Sequence, residues 1–478
     1  MILFTPRRRS PDGQTLVDQT VAAIDQAIRD RILRPGMALP SIRQFARDHR
    51  LSTFTVMAAY NRLTAQGRLQ SRPGIDYRIA RQLLARPQTA AWTIPPVGPS
   101  WLLSDVFADH SISIKAGCGW LPPDWHNETG LQHALRQLAR VPVGQMASYG
   151  HPLGYHPLRE HIARHLNGYG LEADAGQVLL THGATQALDI VIRTALKPGD
   201  HVAVEIPCYA NLLQLLAMNG IVTHGVPRTP DGLHEETLDT LARTHALRAV
   251  FVTTVLQNPT GASFSMAGAF RLLQQAERHN LLVVEDDVSR ELLQEPAPLL
   301  TALASTRRVV YISGFAKSVM PSLRVGYLLC EPDLLQRCAR TKMSLGLTSA
   351  EIMERTAYQV LRDGRQGVYL RNVRERLGAA HDLVCQKMHD ADFDIAHEPG
   401  AGLFLWARPR TAIDHPEGTI GLAAQALKVG IWLAPGAYFY PDRRDEGWLR
   451  FNVAYSASPA LWKFFRDAAR GQPDPASK

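Results

Sequence analysis

Between residues 177 and 312 the chain alternates two periodicities, and no other feature narrows its fold as much. Short β-branched or apolar runs at 177–181, 201–205, 249–253, 281–285 and 308–312 are separated by stretches with helical spacing at 186–195, 211–219 and 267–279. Short apolar strands separated by amphipathic helices imply a mostly parallel sheet in a three-layer α/β domain. Ligands of such sheets bind beyond the carboxyl ends of the strands, so the loops at that edge are the place to look for chemistry.

Those loops carry a recognisable set of groups. Gly183-Ala184-Thr185 opens a helix, whose free amides and dipole suit a phosphate. Gln257-Asn258-Pro259-Thr260-Gly261 reads most simply as a turn. Glu285-Asp286-Asp287 is either solvated charge or a buried aspartate able to hold a ring nitrogen protonated. The last run, Val309 to Ile312, ends in a small-residue loop presenting Lys317, and Arg324 follows seven positions later, before a second apolar run. Burial lowers a lysine's pKa and frees its lone pair for Schiff-base chemistry, and an arginine nearby suits a phosphate. Taken alone, the stretch also fits a lysine in a surface loop.

The first eighty residues differ from the rest. They hold thirteen arginines, six aspartates and neither lysine nor glutamate, a net of +7 within a chain of 478 residues whose formal charge is +8. Such asymmetry points to a polyanion-binding end on a near-neutral body of one or two further domains. Helical spacing from Leu16 to Leu33 ends at Pro35-Gly36; Ser41, with Gln44 three residues on, forms a capping box opening a short helix; Ser52 caps a third helix carrying Val56, Ala59, Tyr60 and Leu63 on one face. Two short helices joined by a tight turn read as helix-turn-helix, and 68–79 as a small hairpin, the wing. Hydroxyls of Ser52, Thr53 and Thr55 at the start of the third helix, bracketed by arginines, suit phosphates and base edges; a helical protein-interaction module with a basic face fits the same periodicity. Residues 81–108, with Pro87, Pro95, Pro96 and Pro99, read as a semi-rigid linker.

Five cysteines without zinc spacing suit a reducing cytoplasm. The opening residues invert the order of a signal peptide, and no apolar run approaches bilayer length, so neither export nor membrane insertion is expected.

The front end resembles the GntR-type winged helix, matching Pro-Gly-x-x-Leu-Pro-Ser-x-Arg at Pro35 to Arg43, Ser-x-x-Thr-Val at Ser52 to Val56, Ala-Tyr-x-x-Leu at Ala59 to Leu63 and Gly-x-Leu-x-x-Arg-x-Gly at Gly67 to Gly74. The resemblance implies Arg43, Thr55 and Arg72 as DNA contacts. It departs at Arg50, in place of a turn glycine, at Thr53, in place of an arginine, and at Asp76, in place of a wing glycine. From about 110 to 465 the order Tyr149-Gly150, Gly183-Ala184-Thr185, Pro207-x-Tyr209, Asn258-Pro259-Thr260-Gly261, Asp286, Lys317, Arg324 and Leu449-Arg450-Phe451-Asn452 resembles the fold-type I aminotransferases.

That second resemblance implies pyridoxal 5'-phosphate held as an aldimine on Lys317, with Asp286 on the pyridine nitrogen, Asn258 on the ring hydroxyl and Tyr209 stacked on the ring. Ala184, Thr185 and Arg324 would bind the phosphate, Tyr149 would reach in from another subunit, and Arg450 would clamp a substrate carboxylate. Ser289 stands near the place of a ring-hydroxyl tyrosine, Gly314 replaces a phosphate-binding hydroxyl residue, and Ala316 precedes the lysine where a hydroxyl is common. Each lost hydrogen bond to a charged group is worth about 1.5–3 kcal/mol.

Together the two halves resemble the MocR subfamily of transcription regulators. The resemblance implies 1–80 as a DNA-binding domain, 81–108 as linker and 109–478 as an aminotransferase-like body with a small C-terminal α+β subdomain from about 350. It implies a cytoplasmic homodimer on operator DNA that senses the cofactor or a small amino compound. The alternatives are a cytosolic aminotransferase with a vestigial DNA-binding domain, and a repressor whose body is only a dimerisation scaffold.

Overall fold

In the computed structural model the alternation along the chain becomes an eight-stranded sheet. The structure describes residue 6 and residues 15–30, 32–72, 76–80, 112–304, 306–411 and 415–470. The chain divides into two compact units, Met1–Pro95 and Pro96–Lys478. The expected linker at 81–108 and the wing tip at 73–75 lie outside the described residues.

In the front unit, helices α1 (Leu16–Arg29), α2 (Ile42–Asp48) and α3 (Thr53–Ala65) precede an antiparallel pair, β1 (Leu69–Arg72) and β2 (Asp76–Ile79). Ile24, Phe45, Val56, Tyr60, Leu63, Leu69 and Ile79 share one buried core. Helical spacing predicts that α1 runs on to Leu33, but it stops at Arg29. The Leu33 amide turns back to the Ala27 carbonyl, which buries Leu33 and leaves Ile32 exposed. The capping box expected at Ser41 is half made: Ser41 Oγ accepts the Gln44 amide, while the Gln44 carboxamide bonds Asp48 and Arg47 instead. A full box forms at Thr15 and Asp18.

The large sheet of the second unit comprises β3 (Val178–Thr181), β4 (His201–Ile206), β5 (Val222–Thr229), β6 (Gly232–Leu233), β7 (Ala249–Val252), β8 (Leu282–Asp286), β9 (Val309–Gly314) and β10 (Gly326–Leu329), in the order β3-β10-β9-β8-β7-β4-β5-β6. Strands β5, β4, β7, β8 and β9 pair in parallel, as expected. Strand β10 runs antiparallel to both β3 and β9, so it starts at the edge where the others end. Strand β5 shows no apolar run in the sequence: it carries Gly225 and Pro227 and alternates polar residues, as befits a strand near the sheet margin.

A second, antiparallel sheet comprises β11 (Phe393–Ile395), β12 (Phe404–Pro409), β13 (Ala434–Pro435) and β14 (Leu449–Asn452), in the order β11-β12-β14-β13. It packs with the helices Gln366–Asp390 and Pro459–Ala469 in one core. Segment 112–121 belongs to this core as well. Ile114 bridges to Ile431, Gly117 donates to the Trp432 carbonyl and the Asn452 amide donates to Ala116. Among the described residues no helix is long and apolar enough to cross a membrane, and all five cysteines are free and buried.

At the carboxyl edge three backbones meet. A Cβ at Gly326 would lie 2.4 Å from the Gly183 carbonyl carbon and 2.5 Å from the Ala184 nitrogen, where only backbone could yield. Gly326→Ala should therefore destabilise the body by about 1–3 kcal/mol. All eight tryptophans lie beyond residue 80, so urea unfolding followed by tryptophan fluorescence reads this directly; an unchanged midpoint would contradict the packing described.

Candidate functional site

In the front unit the turn between α2 and α3 passes through Arg50 at φ 52°, the left-handed conformation that a glycine holds without strain and that costs a side-chain residue about 1 kcal/mol. Ser52 caps α3, its Oγ accepting the Thr55 amide at 3.0 Å and sharing a hydrogen bond of 2.8 Å with the Thr55 hydroxyl. Arg43, Ser52 and Thr53 are exposed and Thr55 is half-buried. Arg72 closes β1, and its side chain lies outside the described residues.

Acidic residues sort the arginines. Asp18 holds Arg62 at 2.6 Å, Asp25 holds Arg68 at 3.2 Å, and Asp76 is neutralised by Arg78 at 2.7 Å. Among the described residues no carboxylate pairs with Arg43 or Arg50, so positive charge is left on the face formed by α2 and the start of α3. Phe54, 72% exposed, and Met57 join that face of α3, opposite buried Val56, Tyr60 and Leu63. Sequence periodicity passed over Phe54 and Met57. The available signal was two large apolar residues off the buried face of a capped helix.

In the second unit the parallel strands deliver their termini to one edge. β3 leads to Gly183 and the helix Ala184–Ala195, β4 to Tyr209, β7 to Asn258, β8 ends on Asp286, and β9 leads to Lys317. Strand β10 starts there with Arg324 two residues before it, at φ 51°. A cavity of about 150 Å³ at this edge is lined by Ala184, Thr185, Tyr209, Asn258, Asp286, Lys317 and Arg324, together with Ser289, Gly314 and Phe404. Of the residues named from sequence, Arg450 lies behind this lining and Tyr149 lies outside it.

Lys317 Nζ donates to the Gly119 carbonyl. Burial, and then the nearby Arg450 charge, lower its pKa to about 8, so about one amine in ten is neutral at pH 7. Burial, with the Glu205 charge adding to it, raises Asp286 to about 7. Asp286 Oδ1 is buried with no hydrogen-bond partner. The Tyr209 hydroxyl, itself raised by burial, is held by Thr185 and by Asn211 Nδ2 at 2.9 Å. Arg450 Nη1 donates to Asn258 Oδ1 at 2.8 Å and Nη2 to the Gly117 carbonyl at 2.6 Å; its guanidinium lies 4.6 Å from the Phe404 ring centre, and its buried Nε has no partner.

These observations fit pyridoxal phosphate. An unpartnered buried carboxyl oxygen suits a protonated ring nitrogen. Arg324 and the unbonded first amides of a helix suit a phosphate, and a partly neutral lysine suits covalent attachment. A Cβ at Gly314 would lie 3.2 Å from both the Gly326 Cα and the Val325 oxygen, so a side chain there requires the neighbouring backbone to give by a few tenths of an ångström. Ser289 is buried at the cavity wall, and the next residue, Arg290, points elsewhere, pairing with buried Asp287.

Sequence reasoning missed the carbonyls of Gly117 and Gly119, which segment 112–121 brings to Arg450 and Lys317 from some two to three hundred residues away in the chain. Backbone acceptors leave no mark in side-chain patterns. The exposed position of Tyr149, at 82%, is one a single chain leaves outside the cavity.

Residues 122–460 match the family described as aminotransferase class I and II, and residues 16–79 match the bacterial regulatory proteins of the gntR family. The chain is 27% identical over 452 residues to the uncharacterized HTH-type transcriptional regulator YjiR of Escherichia coli K12, spanning 91% of this chain and 93% of that one. It is 29% identical over 399 residues to the probable rhizopine catabolism regulatory protein MocR of Rhizobium meliloti, spanning 80% and 79%. The fold is similar to that of LysN, an alpha-aminoadipate aminotransferase from Thermus thermophilus solved with N-(5'-phosphopyridoxyl)-L-leucine, with a TM-score of 0.69, 24% identity, and coverage of 78% of this chain and 95% of that one.

The Asp286 environment sets a pH dependence. With its pKa at about 7 folded against 3.8 unfolded, the folded protein holds a proton that the unfolded chain has released, so stability falls as pH rises through that window. Cofactor-free Asp286→Asn lacks this group. Its thermal midpoint should exceed that of the unsubstituted chain by several degrees at pH 8, with the gap closing toward pH 4. Equal midpoints at both pH values would show that Asp286 is not buried unpaired.

Proposed function

Because the chain belongs to the class I and II aminotransferase family and carries a gntR-family regulatory domain ahead of it, we propose that it is a pyridoxal phosphate-dependent, DNA-binding transcription regulator of the MocR type. Residues 1–80 bind operator DNA, 81–108 connect, and 109–478, with its small subdomain from about 350, sense the cofactor or an amino compound. The observation that carries this reading is the meeting of Lys317, Asp286 and Arg324 in one cavity at the sheet's carboxyl edge, in a chain whose front unit is a winged helix.

When bound, pyridoxal phosphate supplies an electrophilic carbonyl carbon and an electron-withdrawing pyridinium ring. Lys317, with its depressed pKa, offers the amine that anchors it. Asp286 keeps a proton on the ring nitrogen and thereby gains the partner its Oδ1 lacks. Asn258, its Oδ1 occupied by Arg450, has its amide N–H groups left for the ring hydroxyl, and Tyr209 covers the ring. Arg324 and the amides of Ala184 and Thr185 hold the phosphate. Arg450 keeps an unused Nε–H for the carboxylate of an amino compound. Tyr149, exposed in one chain, completes the site from a second copy in a cytoplasmic homodimer.

On the DNA side Arg43, Ser52, Thr53, Thr55 and Arg72 contact phosphates and base edges, while Phe54 and Met57 suit thymine methyl groups in the major groove. A second reading, residual transaminase activity, is favoured by one observation: the lysine, the ring-nitrogen aspartate and Arg450 are all retained around the cavity.

Protein loaded with pyridoxal phosphate should absorb in the visible, and borohydride should fix the label on the peptide containing Lys317; Lys317→Ala should give neither band nor adduct. A chain that takes up no cofactor overturns the sensing site. Transfer of an amino group in a single turnover, without any binding of selected genomic DNA, would instead support the second reading. Arg43→Ala should weaken DNA binding on all sequences and make the slope of log affinity against log salt shallower by about one; an unchanged slope removes Arg43 from the phosphate contacts.

A further inference from the structure

Strand β4 enters the sheet at His201, some five residues, or about 17 Å, from the end that leads to Tyr209. At this opposite end three imidazoles meet: His201 on β4, His224 on β5 and His245 at the last position of the helix Glu235–His245. The parallel register pairs His201 with Val222 and Ala203 with His224, so both histidines project from one face of the sheet. The helix packs on that face, where Ala203, Val226, Leu238 and Ala242 form an apolar layer. Left-handed Ala246, at φ 48°, ends the helix just after His245.

The rings stack, with centroids 4.2 Å apart for His224 and His245, 5.1 Å for His201 and His224 and 5.5 Å for His201 and His245. His201 Nδ1 and His224 Nε2 are 2.8 Å apart, and one nitrogen from each ring lies within 4.8 Å of the others. Three imidazole nitrogens around a tetrahedral zinc ion at 2.0–2.1 Å stand about 3.3 Å from one another. That spacing exceeds the 2.8 Å between His201 and His224 and falls within the 4.8 Å that bounds the whole set, so the donors stand near ligand separation, and the stacked rings must turn about their side-chain torsions to aim at one ion.

We propose that His201, His224 and His245 form a transition-metal site, with Zn²⁺ its foremost occupant, at the amino end of β4. Imidazole donors without thiolate or carboxylate suit zinc, copper and nickel and disfavour calcium and magnesium. The three rings are each half-exposed, so a water completes the tetrahedron from the solvent side. The ion ties β5 and the helix to β4 and so stabilises the folded state by mass action. The site is separate from the Lys317 cavity and does not depend on what that cavity binds.

Untagged full-length protein titrated with Co²⁺ tests this. The expected result is the ligand-field spectrum of tetrahedral Co²⁺ with nitrogen and oxygen donors, saturating at one ion per chain and displaced by Zn²⁺. It should be lost in His224→Gln and in His245→Gln, with cofactor uptake and circular dichroism unchanged. Zn²⁺ should raise the thermal midpoint of the unsubstituted chain only. Diethyl pyrocarbonate labelling of unsubstituted protein gives a readout that needs no variant: Zn²⁺ must protect these three histidines. No such spectrum, a thiolate charge-transfer band, or bands and labelling indifferent to these residues would overturn the site.

Discussion

Everything at the carboxyl edge depends on how closely three backbones can approach. Strand β10 is wedged antiparallel between β3 and β9, and Gly326 at its start lies against the Gly183–Ala184 peptide with no room for a side chain. That approach brings Arg324 beside the first amides of the helix Ala184–Ala195, with Arg324 Nη2 donating to the His182 carbonyl at 3.3 Å. Gly314 lies against the same crossing, where a Cβ would sit 3.2 Å from the Gly326 Cα and the Val325 oxygen.

The second constraint is electrostatic. Lys317, Asp286 and Arg450 sit in or behind one small cavity, each shifted toward its neutral form by burial first. Arg450, set on β14 of the small sheet, reaches Asn258 of the large sheet's loops and the carbonyl of Gly117, so the two sheets are tied through the group proposed to meet a ligand carboxylate. Unpartnered Asp286 Oδ1 and Arg450 Nε cost stability in the cofactor-free protein, a cost that complementary ligand groups remove. A site built this way responds strongly to occupancy, which suits a sensor as well as an enzyme.

The sequence disclosed most where periodicity and burial agree. The runs at 249–253 and 281–285 are central strands whose apolar stretches Ala249–Val252 and Leu282–Val284 are nearly all buried, and the structure puts them one residue or less from the expected bounds. It disclosed least where the backbone acts alone. The carbonyls of Gly117 and Gly119 carry no side-chain signature, β5 hides behind Gly225 and Pro227, and the antiparallel sense of β10 is set by its partners rather than by its own residues. In the front unit Ile32 kept the helical period although the helix had ended at Arg29, since a period cannot see the chain turn back at Leu33. Lys317, Asp286 and Asn258 were singled out only by the order of motifs along the chain: each stretch alone also fits a surface lysine, solvated charge or a plain turn, because nothing local to it shows that the chain folds to bring the three around one cavity.

A regulator that senses through the Lys317 cavity must couple occupancy of that cavity to binding of DNA. The most direct measurement is the affinity of the full-length protein for a genomic fragment it selects, with and without pyridoxal phosphate, and the affinity for pyridoxal phosphate with and without that fragment. Coupling predicts that both change by the same factor, at least about fivefold, and that Lys317→Ala abolishes the change. Equal DNA affinity for the loaded and cofactor-free protein would show that the cavity does not control DNA binding.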